Sequence, residues 1–144
     1  NAQPNITCRM FTESTEHLIW ASKNGKGKKW TFNYGTMKTM NNGKQMRNVW
    51  EIPLTPKKEK WAGAHPTQKP MELLRRVILA CTSEGDTVLD PFLGSGTTSV
   101  VAKMLDRNSI GIEKEKKYLP IIKKRLNPPQ RMINEETMVE VISE

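Results

Sequence analysis

The sequence of this 144-residue chain predicts an α/β fold, with parallel strands flanked by helices. Three observations carry that prediction. Helical and strand patterns alternate from Thr67 to Leu126, a glycine-rich turn follows directly on the first strand, and an acid ends the next one. Such alternation implies a parallel sheet with helices on both faces, joined by right-handed crossovers. Open sheets of this kind bind ligands beyond the carboxyl ends of their strands.

The first 62 residues have the weaker pattern. His17 to Ser22 is a short apolar run suited to a buried strand, and Trp30 to Tyr34 alternates with period two. Between them NGKGKK reads as a turn. Thr36 to Met40 suits a helical turn ended by Asn41, Asn42 and Gly43, and Val49 to Ile52 suits a strand closed by Pro53. The stretch LTPKKEKWAGAHPTQ has no period and reads as a polar connector.

Beyond it the elements are better marked. Thr67 is a candidate cap and Pro70 fits a first helical turn, after which Leu73, Leu74, Val77, Ile78 and Cys81 recur at helical spacing up to Gly85. Thr87 to Asp90 is a short strand, Pro91 to Gly96 a turn, and Thr97 to Leu105 a second helix. Ser109 to Glu113 is another strand. Tyr118, Leu119, Ile121, Ile122 and Leu126 mark a third helix, stopped by Pro128 and Pro129. The tail from Arg131 is acidic and expected to be partly disordered.

A chain of this length supports one compact unit and not two well-buried ones. No run approaches the ~18 apolar residues of a membrane helix, and Cys8 and Cys81 lack zinc-site spacing, so no metal is expected. A soluble, cytoplasmic protein without a membrane partner is expected. The opening NAQPNITCRMF has no secretory pattern and reads as an interior or trimmed end.

The net charge of +8 is concentrated early, because residues 1–60 hold 11 basic and 4 acidic side chains. Between Glu16 and Glu51 there is no acid, yet Lys23, Lys26, Lys28, Lys29, Lys38, Lys44 and Arg47 fall there, interleaved with Trp30, Phe32, Tyr34 and Trp50. That composition suits a polyanion. It also suits a solvated basic loop, and charge alone leaves both readings open.

The turn from Asp90 to Thr98 is more informative. Gly94 and Gly96 lack Cβ atoms, so the backbone can turn tightly against a ligand, while the following helix start offers free N–H donors. A dinucleotide template would place glycine where Ser99 stands, and Asp90 at the strand end would repel a pyrophosphate. The same carboxylate attracts the ammonium and sulfonium of S-adenosylmethionine. Glu113, about 20 residues further on, stands where a carboxylate accepts both hydroxyl protons of a ribose; Ile112 and Lys114 stand beside it to flank an adenine. A surface acid paired with one of the lysines of EKEKK is the alternative for Glu113.

Three motifs in order resemble the beta-class DNA adenine-N6 and cytosine-N4 methyltransferases of restriction–modification systems. They are HPTQKP (His65 to Pro70), DPFLGSGTT (Asp90 to Thr98) and GIE (Gly111 to Glu113), and the resemblance covers residues 1 to about 126. It implies a partial Rossmann-like S-adenosylmethionine-dependent methyltransferase sheet with a small target-recognition insertion. The implied division is the end of the catalytic subdomain at 1–23, a target-recognition region at 24–62, a cofactor-binding subdomain at 63–126 and a tail at 127–144. Thr67, Gln68 and Lys69 would help hold the methionine carboxylate, although a plain helix-capping segment is the alternative. Asp90, Phe92, Gly94, Ser95, Gly96, Thr97, Thr98 and Glu113 would form the rest of the cofactor site, with a core role the alternative for Phe92.

The early segment NAQPNITCRMFTESTEHLIWASK is most similar to adenine methyltransferases of the GATC-modifying, single-strand-active type. By that likeness Lys23, Lys26, Lys28, Lys29 and Lys44 would bind phosphates, and Asn41, Asn42, Gln45 and Arg47 would read base edges. The family's [DNS]PP[YFW] catalytic motif does not occur; Asn127-Pro-Pro-Gln130 is the nearest string and lacks the aromatic ring that stacks on a flipped base. No catalytic residue is therefore assigned. The expected partners are DNA and either the N-terminal half of the same enzyme or a second subunit carrying the motif, with a homodimer left open. Alone, the chain is expected to be inactive and poorly stable. Cytosine-N4 transfer, a DNA-binding partner with a vestigial cofactor turn, and a nicotinamide-dependent oxidoreductase are the rival readings.

Overall fold

The computed structural model describes residues 7, 9–12, 14–23 and 30–129. Its elements are α1 (Tyr34–Met40), α2 (Met71–Cys81), β1 (Thr87–Asp90), α3 (Thr97–Met104), β2 (Asn108–Gly111) and α4 (Leu119–Leu126), with short 3-10 turns at Lys57–Lys60 and Lys116–Tyr118. The strand–helix–strand unit expected from residues 87–113 is present, but its second strand ends at Gly111, so Glu113 lies two residues past the strand end. β1 and β2 pair in parallel, with Thr87 opposite Asn108 and Asp90 opposite Gly111.

α2 buries Ile78, and α3 buries Val101 and Ala102 against it; Met71, Leu74, Val88 and Leu105 close around this cluster. Of the apolar positions predicted for α2, Leu74 and Ile78 thus belong to this cluster, one turn apart. The start of α2 differs from expectation. Thr67 does not cap it; Pro70 occupies the cap position in extended conformation, and Glu59 accepts a hydrogen bond from the Met71 N–H at 2.9 Å. A proline has no side-chain acceptor to offer, so a carboxylate from the preceding 3-10 turn satisfies the orphan donor.

Val88 faces the α2–α3 cluster, so its neighbour Leu89 must face the other way, beside its pairing partner Ile110. These two are 60% and 57% exposed. Among the described residues, helices therefore cover one face of this two-stranded sheet, and the opposite face is bare and apolar.

Three strands expected in the early segment do not form. His17 to Ser22 and Val49 to Ile52 are irregular, and Tyr34 begins α1 instead of ending a strand. A period-two pattern becomes a strand only with a partner for its backbone groups, and the described sheet has two strands. Instead, Asn33 binds the end of α2: its N–H reaches the Ala80 carbonyl, and its side-chain amide reaches those of Leu79 and Thr82, each at 2.8–2.9 Å. These bonds satisfy carbonyls that the helix end leaves open. They seat α1, with Met37 buried, against α2. The expected tail from Arg131 lies outside the described residues.

Candidate functional site

The glycine turn lies at the carboxyl end of β1, as the sequence predicts. Gly94 and Gly96 have φ of 57° and 82°, in the left-handed region that a side chain disfavours. Space is tight as well: a Cβ on Gly94 would come to 3.2 Å from the His65 ring, and one on Gly96 to 3.3 Å from Ile122, so each neighbour would have to give way.

Asp90 fixes the two ends of this turn. One carboxylate oxygen accepts the Phe92 N–H at 3.0 Å and the other accepts the Thr98 hydroxyl at 2.6 Å. Glu113 reaches across from the end of β2 and accepts the Gly94 N–H at 2.7 Å, while its other oxygen accepts the Glu115 N–H at 2.7 Å. These backbone donors, that of Glu115 foremost, hold the Glu113 carboxyl below its ordinary 4.5, so it is ionised at neutral pH. The two acids expected from sequence thus flank one turn. Each oxygen retains a second lone pair for a ligand donor.

The remaining predicted residues divide. Ser95 and Thr97 are buried at 3% and 5% exposure, so they build the turn from beneath and do not face a ligand in this conformation. Phe92 is 89% exposed and packs into no core among the described residues. Gln68 is buried; its side-chain amide donates to the Glu59 carbonyl and its main-chain carbonyl accepts the Thr55 hydroxyl, so it braces the connector. The Lys69 ammonium is paired with Glu16 at 2.5 Å in an exposed bridge, and the Lys69 carbonyl accepts the Thr97 hydroxyl at 3.3 Å. An exposed pair of this kind is weak and exchangeable.

His65 is stacked at a tilt on Tyr118, with ring centroids 4.2 Å apart, and its Nδ1 accepts the Thr67 N–H at 3.3 Å. Burial lowers its pKa below the ordinary 6.5, with nearby Glu113 opposing and Lys117 adding to the effect. The unfolded chain therefore takes up this proton at a pH where the folded chain still refuses it. Folding stability should fall as pH drops below about 6.5, and urea titrations of His65→Gln should show a shallower decline across that window.

Sequence reasoning missed Arg125. It is 4% exposed and its Nη1 donates to the Ser95 carbonyl at 3.0 Å, the Ser95 hydroxyl at 3.0 Å and the Thr97 hydroxyl at 2.8 Å. The clue was available: Arg125 follows Ile121 by four and Ile122 by three, so it sits on the apolar face of α4.

Among the residues expected to meet DNA, Lys23, Asn42, Lys44, Gln45 and Arg47 are exposed or partly so, while Lys26, Lys28 and Lys29 lie outside the described residues. Asn41 commits its amide protons to the carbonyls of Lys44 and Gln45, shaping the loop after α1. Next to residues 24–29, Trp20 stacks on Phe32 with centroids 5.3 Å apart and meets Trp30 edge-on at 6.4 Å. All three rings are substantially exposed.

A parallel strand–turn–helix–strand unit with two carboxylates converging on a glycine turn defines an α/β ligand-binding protein of the Rossmann-like class. Residues 1–124 match the DNA methylase family, and the chain belongs to that family. It is 60% identical over 127 residues to the type II methyltransferase M2.LlaDCHI of Lactococcus lactis subsp. cremoris, covering 88% of this chain and 47% of that protein. It is likewise 60% identical over 126 residues to the type II methyltransferase M2.DpnII of Streptococcus pneumoniae, with the same two coverages. Among solved structures, the M1.HpyAVI–SAM complex aligns with a TM-score of 0.62 at 41% identity, covering 88% of this chain and 57% of that one. The chain spans about half the length of the curated relatives it matches.

Proposed function

We propose that this chain is the cofactor-binding and DNA-reading portion of a methyltransferase that moves a methyl group from S-adenosylmethionine to the N6 amino group of adenine in DNA, at GATC-type targets. The observation that carries the reading is the pair of carboxylates, Asp90 and Glu113, fixed on either side of the Gly94–Gly96 turn. This donor set fits the cofactor. A pyrophosphate would meet two anions here, whereas an ammonium, a sulfonium and ribose hydroxyls all find acceptors. When bound, the cofactor supplies an electrophilic methyl group. The chain's own residues orient it: Glu113 for the ribose, Asp90 for the cationic end, and Lys69, on leaving Glu16, for the methionine carboxylate. The likeness to the M1.HpyAVI–SAM complex supports S-adenosylmethionine as the cofactor.

The catalytic [DNS]PP[YFW] segment and the remaining strands of the sheet are proposed to come from a preceding half of the enzyme or from a second subunit. The bare face of Leu89 and Ile110 supports this, because apolar residues on two paired strands call for a covering layer. Methylation of DNA should be undetectable with residues 1–144 alone and restored when the preceding half is supplied. Mass analysis of the digested product distinguishes N6-methyladenine from N4-methylcytosine. Failure of the complete protein to methylate any DNA would sink the proposal.

Residues 24–62 are proposed to read the target, with the division into subdomains as the resemblance implies. Lys44→Ala and Arg47→Ala should each weaken binding of the complete protein to DNA. Where the side chain neutralises a phosphate, its removal should also make the slope of log affinity against log salt shallower by about one. A change in affinity without a change in slope would assign that residue to the bases.

A further inference from the structure

The geometry points to Arg125 as a positioning residue that fixes the cofactor turn from beneath and thereby sets cofactor affinity. The inference rests on the proposed cofactor site and deepens it. A turn with two glycines in the left-handed region is intrinsically pliable, so its binding shape has to be imposed by its surroundings. Two charged groups impose it at consecutive residues. Glu113 holds the Gly94 N–H from one side, and Arg125 holds the Ser95 carbonyl from the other.

The peptide joining Ser95 to Gly96 is held at both ends, since the Gly96 N–H donates to the Leu93 carbonyl at 2.9 Å. The same guanidinium nitrogen also orders the Ser95 and Thr97 hydroxyls, themselves 3.2 Å apart. Ile122, one turn earlier on α4, packs under Gly96. Burying a guanidinium on the apolar face of a helix is costly where a methionine or leucine would fill the space. The three described bonds all come from one nitrogen, Nη1; an aliphatic chain would supply none of them, and a lysine ammonium, without the guanidinium's fixed plane, would supply only some.

The test uses the complete enzyme with Arg125→Met and Arg125→Lys, measuring S-adenosylhomocysteine binding and steady-state methylation. Arg125→Met should raise the Kd, and the KM for S-adenosylmethionine, on the order of tenfold. The KM for DNA and kcat at saturating cofactor should stay within about twofold, and Arg125→Lys should recover part of the loss. A merely structural role would instead reduce the active fraction and thus kcat, with both KM values unchanged; that result overturns the inference, as does unchanged binding.

If Arg125→Met does not fold, Ser95→Ala combined with Thr97→Val leaves the arginine in place and removes two of the three acceptors described above. The same rise in Kd is expected, and no rise overturns the inference. Asp90→Ala, measured alongside, separates the two levels. An effect of Asp90→Ala without one of Arg125→Met or its substitute rejects the role of Arg125 alone, whereas no effect of either rejects the cofactor site itself.

Discussion

Glu113→Ala is expected to weaken S-adenosylhomocysteine binding to the complete enzyme on the order of tenfold or more, by isothermal titration. Two losses combine in that number. The ribose hydroxyls lose a charged acceptor, and the Gly94 N–H loses the bond that ties the turn to the end of β2. Glu113→Gln should retain little of the function, because an amide offers one acceptor oxygen where the structure uses two. The depressed pKa adds a pH signature. The carboxylate titrates below its ordinary 4.5, so its contribution to binding should be constant from neutral pH down to about 5 and fail only in stronger acid. Affinity that is unchanged in Glu113→Ala would remove this residue from the site.

Asp90→Ala should cost cofactor affinity on the order of tenfold or more as well, for a different reason. Its two oxygens join Phe92, two residues past the strand, to the first turn of α3 through Thr98. Without them the strand end and the helix start are no longer held to one anchor. The electrostatic part can be isolated with Asp90→Asn, which preserves size. S-Adenosylmethionine carries a sulfonium charge that S-adenosylhomocysteine lacks, so this variant should lose more affinity for the former than for the latter. Equal losses would mean that Asp90 acts only as a scaffold for the turn.

The two predictions concern residues that were legible in the sequence, and the reason is local. Asp90, Gly94 and Gly96 lie within seven consecutive residues between a strand pattern and a helix pattern, and the conformations involved are those that only glycine adopts cheaply. The helices from 71 to 126 were legible for the same reason, since their apolar spacing is a property of neighbouring residues. The early segment was less so. Trp30 to Tyr34 satisfies the strand pattern, yet Asn33 is drawn to the end of α2, whose carbonyls lie 46 to 49 residues away in the chain. A competing long-range partner outweighed the local preference.

The site shows the same division residue by residue. Lys69 stands in a recognisable motif, but its ion pair with Glu16 spans 53 positions. Phe92 suits a pocket and a core equally well by pattern, and only the fold shows it to be exposed among the described residues. Gln68 belongs to the same motif as Lys69 and turns inward, where its side-chain amide donates to the Glu59 carbonyl, a partner that no pattern in the motif announces.

By itself the sequence determined the strand–turn–helix of the proposed cofactor site, its acidic character and the family to which the chain belongs. Only the tertiary structure decided which groups hold that turn in shape. Glu113 meets Gly94 across 19 residues, and Arg125 meets Ser95 across 30. Contacts at such separation depend on how β2 and α4 pack against the turn, and packing is set by the whole fold, whereas backbone conformation at a glycine is set by the glycine.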